Sequence, residues 1–157
     1  MTPSERFDSL FQVYAAWDRT ADGKWFERPV PLDWLALKRQ AQAESGLDPD
    51  AISPVGAEGL TQFMSATFEE WMQTQFKGLP PPSKHVSPFD PEDSIWAQAD
   101  VMQWLLGVFQ GDLRKALSAY NWGIGHVTRV IQAKGEAWES ELPAETKAYL
   151  RKILVSS

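Results

Sequence analysis

The chain has 157 residues, the length of one domain, and its 43% hydrophobic content is enough to bury a core and excludes a disordered chain. Its net charge of −6 excludes the basic face that nucleic acid requires, so we expect no nucleic-acid partner. The chain contains no cysteine, which excludes disulfides and thiolate metal sites.

The N-terminal part is predicted to hold two helices, with a loop between them and a connector after them. Apolar residues spaced near 3.6 predict the first helix over residues 5–18. An Asp-Gly pair and two prolines predict a loop over residues 19–31. Asp33 is placed to cap a second helix that runs to about Ser45. Residues 46–64 have few periodic apolar positions and predict an irregular connector.

A third helix and a proline-rich loop are predicted next. Thr67 and Glu70 can form a capping box for a helix that runs through about Gln75. The stretch over residues 79–88 contains four prolines and is predicted to be a non-helical loop.

The strongest helix is predicted to start at Asp93 or Ser94. It is apolar nearly all round, which predicts a place in the centre of the domain. Gly111 and Asp112 are expected to end it and to cap a helix over residues 113–120. Two further helices are predicted at about 125–134 and 143–154. The total is six or seven helices and at most one small hairpin.

Glu44 is the residue on which the predicted chemistry depends. It shares a helix face with Trp34, Leu37 and Ala41, at spacings i, i+3, i+7 and i+10. Since that face is otherwise apolar, Glu44 is expected to point inward at the helix end. Burial and the negative end of the helix dipole both raise the pKa of a carboxyl, so a protonated Glu44 could act as a general acid. On position alone, a solvated glutamate at a frayed helix end remains the alternative.

The segment from Glu44 to Met64 reads Glu-Ser-Gly-Leu-Asp-Pro-Asp-Ala-Ile-Ser-Pro-Val-Gly-Ala-Glu-Gly-Leu-Thr-Gln-Phe-Met. It resembles the signature of the soluble lytic transglycosylases, a family of the lysozyme superfamily. That signature runs Glu-Ser, then about eight residues to Ser-Pro-x-Gly-Ala-x-Gly-Leu-Met-Gln-x-Met-Pro. The two align without a gap. Thr61 stands where the family has Met, and Ser65 where it has Pro.

Two later motifs resemble the same family and follow in the same order. They are Ala119-Tyr120-Asn121-x-Gly123 and Leu142-Pro143-x-Glu145-Thr146-x-x-Tyr149. Trp122 replaces the usual Ala within the first of them, which puts the substrate subsites in doubt but not the type of reaction.

The resemblance implies a fold and a reaction. The implied fold is a mainly α, lysozyme-like, two-lobed domain over residues 1–157, with residues 1–31 as a helical extension and Glu44 in a central cleft. The implied enzyme is a lyase in which Glu44 is the single acid and base. It cleaves between N-acetylmuramic acid and N-acetylglucosamine, and the muramyl 6-hydroxyl forms a 1,6-anhydro sugar. Intramolecular attack needs no second carboxylate, and Asp48 and Asp50 are interpreted as turn caps.

The resemblance also implies a set of substrate-binding residues, with no cofactor. They are Ser53, Gln62, Met64, Tyr120, Asn121 and Glu145. Structural alternatives stay open for several of these residues. Ser53 and Asn121 could instead stabilise turns, and Met64 and Tyr120 could simply pack in the interior. Glu145 could be an acidic residue favoured in the first turn of a helix. His85 and His126 lack metal-ligand spacing, so no metal is expected.

Two other functions and the place of action complete the expectations. A hydrolytic muramidase of the goose-lysozyme kind would let water attack, and an assembly component would bind glycan strands with little turnover. The sequence shows no signal peptide and no apolar run long enough for a bilayer, so we expect no insertion into membranes. We also expect the protein to act as a monomer. It would reach the periplasmic wall through holin pores, in a virion or by another export route. The compact size resembles phage-encoded wall enzymes such as endolysins.

Overall fold

The computed structural model describes residues 2–20, 23–75 and 86–154, with the backbone alone for residues 73–75. These residues are mainly helical, as predicted. The α-helices are α1 (Asp8–Ala16), α2 (Trp34–Ser45), α3 (Ser65–Gln75), α4 (Pro91–Val108), α5 (Leu113–Trp122), α6 (Ile124–Lys134) and α7 (Ala144–Ile153). Short 3₁₀ helices span Pro3–Glu5 and Gly135–Glu141, and the strands are β1 (Trp17–Arg19) and β2 (Trp25–Glu27). In the described ranges no helix combines the length and apolar character that a membrane crossing requires.

The chain divides into two compact units, Met1–Asp100 and Val101–Ser157. The first unit has its core where α1, α2 and the first half of α4 contribute fully buried side chains, among them Phe11, Ala41 and Ile95. The second unit is built from the end of α4 and from α5, α6 and α7. The expectation of a single catalytic domain with a cleft stays a prediction.

The strands β1 and β2 form a β-hairpin, so the prediction of a loop over residues 19–31 is wrong for Arg19 and for residues 25–27. Residues 28–31 lie outside helices and strands, as predicted. The strands β1 and β2 pair antiparallel, with Trp17 opposite Glu27 and Arg19 opposite Trp25. Strands of three residues are too short for the alternation that identifies a strand in a sequence. The N-terminal extension is therefore a helix followed by a hairpin, and α1 ends at Ala16 because β1 starts directly after it.

A buried ionic cluster joins the hairpin to α4. The Arg28 guanidinium lies 3.0 Å from a carboxylate oxygen of Asp100 and 3.5 Å from one of Asp18. Its Nε donates to the backbone carbonyl of Tyr14 at 2.6 Å, and Trp96 Nε1 donates to Asp18 Oδ1 at 2.8 Å. Charged groups that are this deeply buried need such partners, so the cluster holds the extension in one place.

The helix caps predicted from aspartates are confirmed at α2 and α5. The Asp33 carboxylate accepts from the backbone N–H of Leu35 at 3.0 Å and of Ala36 at 3.3 Å. Asp112 accepts from the backbone N–H of Lys115 at 3.1 Å at the start of α5. In both places an aspartate directly precedes the helix, which is the pattern that favours an N-cap.

The predicted starts of α3 and α4 are wrong by two or three residues. The helix α3 begins at Ser65, so Thr67 lies inside its first turn and does not cap it. The helix α4 begins at Pro91, because Asp90 accepts from the backbone N–H of Asp93 at 3.0 Å and proline suits the first helical position. Residues 79–85 of the predicted loop, together with Asp22, lie outside the described residues.

The prediction that α4 is central is confirmed for its first half. Residues 93–100 are all buried. In the second half, Trp104 and Val108 are exposed. A helix that is apolar all round can therefore still leave part of its surface in water.

Candidate active site

Glu44 lies in the last turn of α2 and is half-buried. On the face that it shares, Leu37 and Ala41 are buried and Trp34 is half-buried. Gly46 ends the helix with φ +66°, in the left-handed conformation that commonly terminates helices. The carboxyl group is thus carried at the edge of the core rather than on a frayed end, while the raised pKa stays a prediction.

Ser45 ties the end of α2 to the connector that follows. Its hydroxyl lies 2.7 Å from the backbone carbonyl oxygen of Leu60 and 3.2 Å from that of Ala41, and it accepts from the backbone N–H of Asp48 at 3.2 Å. Since Leu60 is fully buried, these contacts fix the helix end against the core. The structural role predicted for Ser45 agrees with this geometry.

The connector is the irregular segment that the sequence predicts, held by two isolated bridges. Glu58 pairs with Ile52 on one side and with Phe63 on the other. Gly59 makes a close approach: a Cβ on this residue, whose φ is +80°, would lie 1.8 Å from the carbonyl oxygen of Pro88. Only glycine allows the backbone to pass here.

Ser53 closes a turn within the connector. Its hydroxyl accepts from the backbone N–H of Ala57 at 3.0 Å, and its own N–H donates to the Ala57 carbonyl at 2.9 Å. The side chain remains half-exposed. The turn interpretation is therefore visible in the structure, and contact of the same hydroxyl with a substrate stays a prediction.

Gln62 adopts φ +57°, which is uncommon for a residue other than glycine. Its Nε2 donates to the carbonyl oxygens of Gly59 at 2.9 Å and Ala51 at 3.3 Å. The two amide protons thus stabilise the connector, and the amide oxygen is the group left to offer to a sugar. Met64, two residues on, is 46% exposed and is available to a ligand, whereas Phe63 is buried.

Thr61 replaces the family's methionine and has a specific partner. It is fully buried, and its hydroxyl lies 2.7 Å from the Ser94 hydroxyl on α4. The backbone N–H of Thr61 donates to the same Ser94 oxygen at 3.3 Å. A buried hydroxyl needs such a bond, so this substitution fixes the connector to α4. The sequence does not reveal Ser94 as the partner because the two residues are far apart in the chain.

The other predicted site residues lie in the second unit. Tyr120 is half-buried, and the Asn121 amide oxygen accepts from the buried Thr146 hydroxyl at 2.9 Å. Asn121 therefore joins α5 to α7 rather than acting on the turn at Gly123. Glu145 is exposed in the first turn of α7, where a carboxylate is favoured at a helix N-terminus.

The Trp122 ring lies at the end of α5 and stacks on His126. The ring centroids are 4.6 Å apart and the planes are inclined by 14°. His85 lies outside the described residues. Over the described ranges, no three His, Cys, Asp or Glu side chains are grouped so as to hold a metal ion.

The structure thus places the predicted site residues in two groups. Glu44, Ser53, Gln62 and Met64 belong to the first unit, and Tyr120, Asn121 and Glu145 to the second. Within the first group, the hydrogen bonds of Ser45, Ser53 and Gln62 give the signature segment a defined shape directly after the helix that carries Glu44.

Comparisons with known proteins identify the family. The family model described as "Transglycosylase SLT domain" matches residues 32–142. Membrane-bound lytic murein transglycosylase D of Escherichia coli (strain K12) is 31% identical over 141 residues, which cover 86% of this chain and 29% of the relative. Membrane-bound lytic murein transglycosylase F of Pasteurella multocida (strain Pm70) is 34% identical over 102 residues, covering 61% of this chain and 18% of the relative.

A solved structure shares the fold. The 70-kDa soluble lytic transglycosylase of Escherichia coli superposes with a TM-score of 0.72 at 24% identity, over 95% of this chain and 23% of that one. The chain therefore spans less than a third of the length of these three proteins. The chain has a mainly helical, lysozyme-like fold. Because the family model matches more than half of the residues of this chain, the chain belongs to the transglycosylase SLT domain family.

Proposed function

We propose that the protein is a lytic transglycosylase that cleaves the glycan strands of peptidoglycan, with Glu44 as its single acid and base. One observation carries the proposal. Glu44 occupies the first position of the family signature and lies half-buried in the last turn of α2, inside the range that the family model matches. A half-buried carboxyl group at this position can be reached by a ligand and is partly shielded from water.

In this reaction one carboxyl group acts first as the acid and then as the base. The protonated Glu44 donates its proton to the oxygen between N-acetylmuramic acid and N-acetylglucosamine, and the bond from that oxygen to the muramyl anomeric carbon breaks. The resulting carboxylate then takes the proton of the muramyl 6-hydroxyl, whose oxygen bonds to the anomeric carbon. The product is a 1,6-anhydro sugar, Glu44 is protonated again, and no water is consumed.

The neighbouring carboxylates fit a structural role. The Asp48 carboxylate accepts from the backbone N–H of Asp50 at 2.9 Å, and both residues are exposed in the turn after α2. A two-carboxylate mechanism would require a second acid held at a defined separation from the first across the substrate. The single-carboxyl mechanism requires no second acid. The structural role of Asp48 and Asp50 therefore favours anhydro products over hydrolysis.

The proposed substrate contacts fall into the same two groups of residues. In the first, the Ser53 hydroxyl, the Gln62 amide oxygen and the exposed Met64 would meet the sugars beside Glu44. In the second, the family motifs assign Tyr120, Asn121 and Glu145 to the substrate. The amide and hydroxyl groups suit the N-acetyl and hydroxyl groups of the glycan.

The place of action follows from the substrate, which lies in the bacterial cell wall. Delivery by a phage, through holin pores or in the virion, and action as a monomer extend the proposal, and they rest on the resemblance to phage-encoded wall enzymes. Producing the protein in cells with and without a holin tests pore delivery. Lysis that occurs only with the holin supports pore delivery, and lysis without the holin contradicts it.

The Glu44→Gln variant tests the mechanism. It should lose about 10³-fold of its activity on purified peptidoglycan, because general acid–base catalysis typically contributes 10²- to 10⁴-fold. Asp48→Asn is the matched control and should stay active. Mass spectrometry of the released fragments should show muropeptides lacking one water. Reducing ends alone would identify a hydrolytic muramidase, and full activity of Glu44→Gln would reject Glu44 as the acid.

A further inference from the structure

The N-terminal hairpin exposes aromatic rings that the proposed reaction does not use. Trp17 is 39% exposed and Trp25 is 46% exposed, although large apolar side chains usually bury most of their surface. Directly opposed residues share one face of a hairpin, so Trp17, Arg19, Trp25 and Glu27 lie on the same face. We call these four residues the hairpin face. They precede residue 32, where the family match begins.

The hairpin face is held in place from within the same unit. The Trp25 ring lies 5.5 Å from the ring of Tyr14, which is fully buried. The Arg19 guanidinium lies 5.8 Å from the centroid of Trp25 and 4.4 Å from that of the buried Trp96. Rings that are already oriented lose little conformational freedom when they bind, which favours a binding role.

The charges on the hairpin face indicate an uncharged ligand. Arg19 and Glu27 carry opposite charges, so the face has no net charge of its own. Nucleic acids and anionic membranes both require clusters of basic residues, which these four residues do not form. Sugar rings suit the face better, because their C–H faces can stack on indole and their hydroxyl and amide groups can bond to a guanidinium and a carboxylate.

The size of the hairpin face indicates a narrow ligand. At the observed exposures its two indoles present on the order of 200 Å². A stable protein interface buries about 800 Å² on each partner, so these rings are too small a surface to hold a second copy of the chain. A linear strand of a few sugar rings matches the available area.

We propose that the hairpin face is a second glycan-binding surface, which holds a peptidoglycan strand by stacking on Trp17 and Trp25 in addition to the strand's contacts at Glu44. This inference rests on the proposed function, since the ligand is the same polymer. A second contact on one polymer raises the effective concentration of the strand at the first. The surface therefore adds affinity for long strands and takes no part in the chemistry.

Binding to purified peptidoglycan sacculi tests the surface directly. In a Glu44→Gln background, where the wall stays intact, Trp17→Ala combined with Trp25→Ala should weaken binding about tenfold. Trp104→Ala is the matched control, since Trp104 is 48% exposed in the second half of α4. It should bind as the parent does. Equal binding by the double variant and the control would overturn the proposal.

Further measurements separate loss of binding from misfolding and from failure of the proposed function. Trp17→Phe with Trp25→Phe keeps aromatic faces and should restore most of the binding, whereas a merely structural defect would appear as a lowered Tm.

With Glu44 intact, the double Ala variant should cleave a short soluble glycan at the wild-type kcat/KM and should cleave sacculi more slowly than the wild type. A wild type that releases no anhydro product refutes the function. Concentration-dependent dimers lost in the variant, with wall binding unchanged, would identify a second copy as the occupant.

Discussion

At the scale of single residues, the sharpest constraint in the signature segment falls on Gly59. A Cβ at this position would lie 1.8 Å from the backbone carbonyl oxygen of Pro88, and its φ is +80°. We expect Gly59→Ala to lower the free energy of unfolding by roughly 3 kcal/mol or more, because backbone must move as well as adopt a strained conformation. Urea denaturation followed by circular dichroism measures the change.

Gly46 provides the control for that prediction. Its φ is +66°, and nothing lies within 4 Å of the position that a Cβ would take, so Gly46→Ala suffers the backbone strain without a collision. That variant should lose only about 1 kcal/mol. Equal losses in the two variants would show that the approach of Pro88 to Gly59 does not constrain the connector.

The same scale shows which site residues a sequence can reveal. The position of Glu44 follows from local periodicity and from the signature, and both are visible in the sequence. The amide contacts of Gln62 depend on its own positive φ, and the bond from Thr61 to Ser94 joins residues 33 positions apart. Neither has a signal in the sequence, because the first arises when the connector folds on itself and the second when the connector packs on α4.

At the scale of elements, the cluster that joins the hairpin to α4 should make stability depend on pH. Burial, and then the nearby Asp18 carboxylate, raise the pKa of Asp100 from its usual 3.8 to about 7, against the opposing effect of Arg28. A raised carboxyl pKa means that the folded state binds the proton more tightly. The contribution of Asp100 to the free energy of unfolding is therefore greatest below pH 4. It falls by roughly 1.4 kcal/mol per pH unit as the pH rises to about 7.

The Asp100→Asn variant measures this dependence. It should unfold with a weaker pH dependence than the parent, the difference between pH 5 and pH 8 being on the order of 3 kcal/mol. Asp50→Asn removes an exposed carboxylate and serves as the control. Parallel stability curves for the parent and Asp100→Asn would show that Asp100 stays ionised beside Arg28 across this range.

The elements themselves divide into those with local signals and those without. Asp33 and Asp112 directly precede their helices, so α2 and α5 can be predicted closely. The start of α4 is ambiguous in the sequence, because Asp93 looks as suitable a cap as Asp90, which is the residue that caps the helix. The Asp-Gly pair in the hairpin indicates a turn, but its three-residue strands have no signal of their own. They are stabilised by the buried pairing of Arg28 with Asp18 and Asp100, and Asp100 is far away in the sequence.

At the scale of the whole molecule, the net charge of −6 bears on how the protein would meet its proposed substrate, peptidoglycan. Peptidoglycan carries carboxylates on its stem peptides, so the long-range force between the two is repulsive. Salt shortens the range of that force from about 30 Å at 0.01 M to about 8 Å at 0.15 M. Short-range stacking and hydrogen bonding are screened far less, and they must therefore provide the affinity.

Salt should accordingly accelerate the cleavage of purified sacculi. We expect the rate of dye release from labelled sacculi to rise roughly two- to fivefold between low and physiological ionic strength, because encounter is repulsive at low salt. Glu69→Gln combined with Glu136→Gln removes two exposed negative charges, and this variant should show a smaller rise. If the rate of the parent instead falls as salt rises, salt must be screening an attraction and not a repulsion. A local basic surface, rather than the net charge, would then govern approach to the wall.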